Sequence, residues 1–315
     1  MDFSFSEEQE LIRVTAKEFS EKRLAPIAFQ IDHENQVPNN IFQELGELDL
    51  IGLPFQESFG GTGAGYLSHV MAQEYIARGS SGVGMCLSVN TLGLSAINNH
   101  GNEKQKLRWI TDCCKGLKLA SFAFTEPDTG SDPKMLSTTL KRKDNHFILN
   151  GSKRFISLSD YPGPMVVFAA DEEVGRPTAV IIDKLCPGYE LGENWEKIGL
   201  RGCHAYDVFF KDIRIDEDQI LGERGKGFDI LLENIAYGKL GFCAESLGHC
   251  TEALEQSILY AKTKTNRDKP ISRFESMQLR LADMATKLEA IRWITYHLGY
   301  EADHRKSPLG SGLIN

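Results

Sequence analysis

The 315-residue chain has no apolar run long enough to cross a membrane, no Cys-x-x-Cys pair and no basic excess, and each absence removes a class of function. Thirty-five Lys and Arg stand against 44 Asp and Glu, a net charge of −9, so the basic surface that a phosphate backbone requires is missing. Nucleic acid is therefore not an expected partner. The longest basic-rich tract, Lys141 to Arg154, is broken by apolar residues and an Asn-Gly turn and reads as the exposed face of a hairpin. The start, "MDFSFSEEQELIR", lacks the basic-then-apolar order of an export signal. Seven cysteines, an odd number, suit buried thiols in a reducing compartment, which points to the cytoplasm, or to the mitochondrial matrix for a processed eukaryotic chain. The histidines are scattered, with no two at i, i+4 on one helix face, and no metal site is expected. The glycine clusters at Gly60–Gly65 and Gly222–Gly227 do not form a strand–GxGxxG–helix unit, which disfavours a dinucleotide fold.

What is present changes period twice. Up to residue 118 the pattern is helical, opened by a capping box at Ser6 and Gln9 and continued by helices at "NIFQELGELDL", Leu67–Ile76, Thr91–Asn98 and "EKQKLRWITDCCKG". Residues 119–222 read as short β-branched and aromatic strands separated by turns such as Asp-Asn and Asn-Gly, which predicts an antiparallel barrel or sandwich. From 223 to 315 the helical period returns. Phe274, Met277, Leu281, Met284, Leu288, Ile291, Ile294 and Leu298 form a stripe that predicts the seam of a long bundled helix. The last residues, "SPLGSGLIN", begin an apolar segment and stop, so the third unit is expected to be incomplete. The fold class is thus α+β and multidomain: an N-terminal helical domain, a β-barrel or sandwich, and a C-terminal helical bundle.

At the end of the first predicted strand lies "SFAFTEPDTGSD", Ser121 to Asp132, a buried strand running into a knot of turn formers. With "FGGTGAG" from Phe59, "LNGSKRFIS" from Leu149, "KIGLRG" from Lys197, "GKGF" from Gly225 and "RFESMQLRLADMATKLEAIR" from Arg273, it resembles the acyl-CoA dehydrogenase family of flavoenzymes. The resemblance implies FAD as cofactor. Phe122, Ala123 and Phe124 would lie along the flavin ring, the Thr125 hydroxyl would bond its edge, and Gly130 would admit the ligand closely. Ser131 would be shared between cofactor and thioester. Phe155 stands where the family usually has tryptophan, Ile156 follows it, and Ser157 stands where a hydroxyl approaches the reactive nitrogen. The implied reaction is α,β-dehydrogenation of an acyl-CoA or acyl-carrier-protein thioester, as in fatty acid metabolism, with hydride passing to the flavin and electrons onward to an electron-transferring flavoprotein.

Several positions depart from the family pattern. In most members the catalytic glutamate lies near the C-terminus, beyond residue 315. A minority carry it on the helix after the β domain, at a position that is Gly238 here. Glu245, seven residues on and on the same face, is the candidate substitute base. The neighbouring family arginine is Lys239, and the resemblance places Gly238 and Lys239 at the substrate. The family's R-x-x-F-G segment, which reaches the FAD of a neighbouring subunit, corresponds to "KTNRD", where Lys264 keeps a charge but Arg267 and Asp268 replace the aromatic and the glycine. The resemblance implies a homo-oligomer, a tetramer in the family. The alternative expectation is a non-catalytic or fragment paralogue that keeps the fold as a binding or assembly subunit.

Overall fold

The structure, a computed structural model, describes residues 4–130 and 135–304. Helix α1 (Glu7–Phe19) starts at the expected capping box: the Gln9 amide donates to the Ser6 hydroxyl at 3.1 Å and the Ser6 amide to the Gln9 side chain at 3.0 Å. A π turn at Ser20–Leu24 and a 3-10 turn at Ala25–Ile27 lead into α2 (Ala28–Glu34), a helix too short to show a period in the sequence. Helices α3 (Asn40–Glu47), α4 (Gly65–Gly79), α5 (Ser81–His100) and α6 (Glu103–Cys114) follow. The sequence showed only the later part of α5, because its first half carries Gly82, Gly84 and two serines, all weak helix formers. Burial between neighbouring elements, rather than propensity, holds that half helical.

Strands β1 (Ser121–Ala123), β2 (Thr139–Lys143), β3 (His146–Ser157), β4 (Pro164–Asp171), β5 (Arg176–Asp183), β6 (Tyr189–Asn194), β7 (Ala205–Ile215) and β8 (Ile220–Leu221) form one sheet. Its order is β6-β7-β3-β2-β4-β5-β8, with β1 added beside β4. The expected antiparallel pairing holds at β2–β3, β3–β7, β4–β5, β5–β8 and β6–β7, while β1–β4 and β2–β4 are parallel. Strand β4 is apolar on both faces for a simple reason. Val166 and Phe168 face the helices, and Met165, Val167 and Ala169 face the sheet's own core.

Two expectations for the Lys141–Arg154 tract are corrected here. The hairpin turn is Asp144-Asn145, whereas Asn150-Gly151 lies inside β3 at a bulge against β7. Gly151 has φ 143°, and a Cβ there would come within 2.6 Å of the Thr138 backbone, so glycine is required. Lys153, expected on an exposed face, is 0% exposed.

Helix α7 (Gly227–Thr263) and helix α8 (Glu275–His304) are joined by a tight hairpin of β9 (Thr265–Asn266) and β10 (Lys269–Pro270). The apolar stripe of α8 is helical as expected, but its packing is not. Leu288 and Leu298 are buried, while Phe274, Met284, Ile291 and Ile294 are exposed on this chain. Inward, Leu288, Tyr296, Leu298 and Ala302 join an apolar cluster with α4 and α7, and polar groups add to that anchorage. Glu74 of α4 accepts from Arg292 and Tyr296, and Asp303 accepts the Tyr66 and Leu67 amides at 2.6 and 3.1 Å, capping α4. The segment "SPLGSGLIN" lies outside the described residues. Among those described, no helix is long and apolar enough to cross a membrane.

Candidate functional site

The two motifs singled out in the β region are stitched together. The Arg154 amide donates to the Thr125 carbonyl at 2.8 Å. Beside it the Lys153 ammonium donates to the Phe124 carbonyl at 3.1 Å, to the Phe168 carbonyl at 2.6 Å and to the Glu126 carboxylate at 2.8 Å. Glu126 also accepts the Ser137 and Thr138 amides at 2.5 and 3.0 Å. Burial pulls the Lys153 ammonium down to about 8, despite its anionic partner. Burial works against the Glu126 charge as well, but Lys153 and the two amides hold this carboxyl below its ordinary range. Neither residue was expected to matter from the sequence. Together they lock the turn Glu126-Pro127-Asp128-Thr129, closed by amide bonds in both directions, with Pro127 fixing its first corner.

This frame presents the expected cofactor residues. Phe122 and Phe124 pack edge-on against Phe168, with ring centroids 5.0 and 6.2 Å apart, and Ala123 turns into the sheet core. Thr125 is half-buried at the strand end. At Gly130 a Cβ would meet, among the described residues, only the Thr125 methyl at 3.7 Å. Its backbone is not left-handed either, so the described chain places no demand for glycine there. Ser131 lies outside the described residues.

A second bulge in β3, between Lys153 and Ile156, breaks the alternation. Ile156 turns inward, and Phe155 is thrown outward at 54% exposure with φ 61°. A bulky residue in that backbone region stores strain, on the order of 1–3 kcal/mol. Its ring meets Trp195 edge-on at 5.1 Å, and Trp195 donates to Asp207, which also pairs with Arg154. An uncovered aromatic held in a strained pose fits a flat ring lying over it. Ser157 ends the strand opposite Ala205, its hydroxyl in reach of the Cys203 sulfur.

The helical wall is arranged differently. Gly238, Gly241 and Glu245 share one face of α7. A Cβ on Gly238 would come within 3.0 Å of the Leu92 side chain of α5, and one on Gly241 within 3.4 Å of the Ser88 hydroxyl. Gly238 is buried and Lys239 is exposed on this chain. Glu245 is 4% exposed, and burial raises its carboxyl to about 7, with the Ser88 hydroxyl opposing that shift. Lys264 caps the end of α7, and Arg267 and Asp268 form the left-handed corner of the exposed β9–β10 hairpin. On this chain that hairpin packs against α7, and Lys264 is exposed there. Among the described residues, no group of three or more His, Cys, Asp or Glu is gathered as metal ligands would be.

A rigid strand end that offers a hydroxyl and an exposed aromatic beside a helical wall is compatible with the flat ring of a flavin, and the comparisons make the chain an FAD-dependent flavoprotein oxidoreductase. Family models of the acyl-CoA dehydrogenase N-terminal, middle and C-terminal domains match residues 6–117, 121–213 and 225–313. The chain belongs to the acyl-CoA dehydrogenase family. It is 36% identical to an acyl-CoA dehydrogenase of Bacillus subtilis over 296 residues, covering 93% of this chain and 78% of the relative. It is 34% identical to the mitochondrial short-chain specific acyl-CoA dehydrogenase of Rattus norvegicus, covering 95% and 74%. The solved butyryl-CoA dehydrogenase of Megasphaera elsdenii superposes with a TM-score of 0.93 at 31% identity, covering 96% of this chain and 82% of that one.

Proposed function

We propose that the chain carries out FAD-dependent α,β-dehydrogenation of an acyl-CoA thioester and passes electrons to an electron-transferring flavoprotein. The observation that carries this reading is the stitched pair of motifs, in which Lys153, Glu126 and the Arg154–Thr125 bond tie the strand end that carries Thr125 and Gly130 to the strand that carries Phe155 and Ser157. Bound FAD supplies the two-electron acceptor. The chain's part is to hold that acceptor rigidly: Thr125 and Ser157 offer hydroxyls to its edge, Phe155 covers a face, and the apolar wall of α5 and α7 keeps water from the reacting carbons. Lys264 adds a cationic contact for the cofactor of a neighbouring subunit in a homo-oligomer.

The proton acceptor differs from the minority pattern of the family. Gly238 cannot serve, Lys239 is exposed, and Glu245 lies about 10 Å further along the helix axis. A second reading is a subunit that binds flavin and thioester without turning them over. Anaerobic addition of butanoyl-CoA to the FAD-loaded protein separates the two. Loss of the flavin absorbance supports dehydrogenation, and a perturbed but undiminished spectrum supports the binding subunit.

A further inference from the structure

The end of β3 that carries Ser157 is held from outside its own ladder. Ser157 lies between Phe155 and Leu158, both in the left-handed region at φ 61° and 59°. Bulky residues keep that conformation only where their surroundings enforce it. The β3–β7 ladder gives no support beyond this point, because Ser157 and Ala205 are its last pair. Just past that pair, His204 bonds across to Asp160, with Nδ1 at 2.6 Å from the carboxylate. Nε2 lies 2.6 Å from the backbone carbonyl of Asn35, the left-handed residue that ends α2. The Gly202 amide donates to the Asn35 side chain at 2.8 Å, and Arg201 donates to the Asp32 carbonyl at 2.7 Å. One buried imidazole thus ties together the strand end, the start of β7 and the N-terminal helices.

The partners of this clasp fix its proton count. A backbone carbonyl only accepts, and so does a carboxylate, so both ring nitrogens must donate. A neutral imidazole has a single N–H and would leave one contact as acceptor against acceptor. His204 therefore stands as the imidazolium, and its bond to Asp160 raises the ring above its ordinary range while burial opposes that shift. Other titratable groups face the same place. Burial raises Tyr161, Tyr189 and Tyr206, which keeps all three neutral through the physiological range. Cys203, next to His204, is lowered by its bond from Cys86 of α5, and Lys197 donates to the Cys203 carbonyl. Lys184, pulled down to about 7 by burial, donates to the Leu158 carbonyl at 2.6 Å.

We propose that His204, as an imidazolium clasped between Asp160 and Asn35, is the positioning residue that sets Ser157 against the cofactor edge. This deepens the flavin reading above and rests on it. Ser157 is held from two directions: Asp160 follows it in the chain, and Cys203, next to His204, lies against its hydroxyl. The dependence on pH has a definite sign. A base raised in the folded chain contributes fully below its ordinary value of 6.5, and its contribution is lost as pH rises through the folded value. The Asp160 side chain is 20% exposed, which gives the proton a path to water.

The test is the dissociation constant for FAD, read by quenching of its fluorescence, from about pH 6 to about pH 9. Wild-type affinity should fall about tenfold across that range, the worth of one hydrogen bond to a charged group. His204→Gln sets an acceptor against one of the two oxygens, so its affinity should match the wild-type alkaline value at every pH. Asp160→Asn discriminates most sharply. The new carboxamide donates to Nδ1 of a neutral ring whose Nε2–H still serves Asn35, so affinity should keep the wild-type acid value and the fall should vanish. Cys203→Ser removes the neighbouring thiol and should retain the fall. A wild-type affinity independent of pH overturns the inference and leaves the flavin reading standing. So does a fall that persists in Asp160→Asn, weak binding by that variant at every pH, or a fall that vanishes in Cys203→Ser. No binding of FAD at any pH removes the inference together with the reading beneath it.

Discussion

The β edge and the helical wall, which the proposed function brings to one site, are finished to different degrees. At the edge every buried charge is answered: Lys153 has three acceptors, and Glu126 has an ammonium and two amides. At the wall Glu245, Gln73 and His249 each keep a polar atom without a partner, and Asn234 Oδ1 on the same helix does as well. The edge is rigid in the chain as it stands, whereas the wall keeps polar atoms without a partner among the described residues. Electrostatic preorganisation belongs where the chemistry is fixed.

Breaking the edge should have the largest effect. Lys153→Met leaves Glu126 buried and unpaired, and a loss of about 3–5 kcal/mol in unfolding free energy is expected, read by urea titration. Flavin retention should fall with it. A loss below about 1 kcal/mol would show that the pair does not hold the turn.

The wall should reveal itself through pH. The folded Glu245 carboxyl titrates at about 7 against 4.5 for an ordinary glutamate, so between those values the folded chain holds a proton that the unfolded chain has released. Stability must then fall as pH rises through this window, by on the order of 3 kcal/mol once it is passed. Glu245→Gln should flatten the decline when urea midpoints are compared at about pH 5 and about pH 8. An unchanged slope would place the titration elsewhere.

Phe155 sharpens the contrast by pulling two quantities apart. Phe155→Gly removes a bulky side chain from a left-handed backbone, so stability should rise by about 0.5–1 kcal/mol while FAD affinity falls about tenfold. Parallel losses in both would make Phe155 ordinary packing. A purely structural effect is expected at Asp303, whose removal as Asp303→Ala takes the cap from α4 and should cost about 1 kcal/mol in a thermal melt.

How far the sequence could be read differs between the same two regions. The strand-end motif and the change from helix to strand period were legible because they are local. The pairing that fixes the motif was not, although β3 carried a signal: Phe147 and Leu149 set a period of two that continues through Gly151 to Lys153, pointing the lysine inward. The bulge that then sends Phe155 out and Ile156 in has no such signature. At the wall, Glu245 was visible as a carboxyl on the Gly238 face, but its burial was not. That depends on Ser88 and Gln73, which lie 157 and more residues away in sequence. Half of the α8 stripe, expected as the seam of a bundled helix, is exposed on this chain, since periodicity reports a face and not what covers it.

The most direct test of the account is the visible spectrum of the purified chain after incubation with excess FAD and removal of the unbound fraction. The β edge described above predicts a retained flavin band, and its loss in Lys153→Met. A colourless wild-type protein would contradict the account, because the stitched motifs would then be a rigid turn that holds no cofactor.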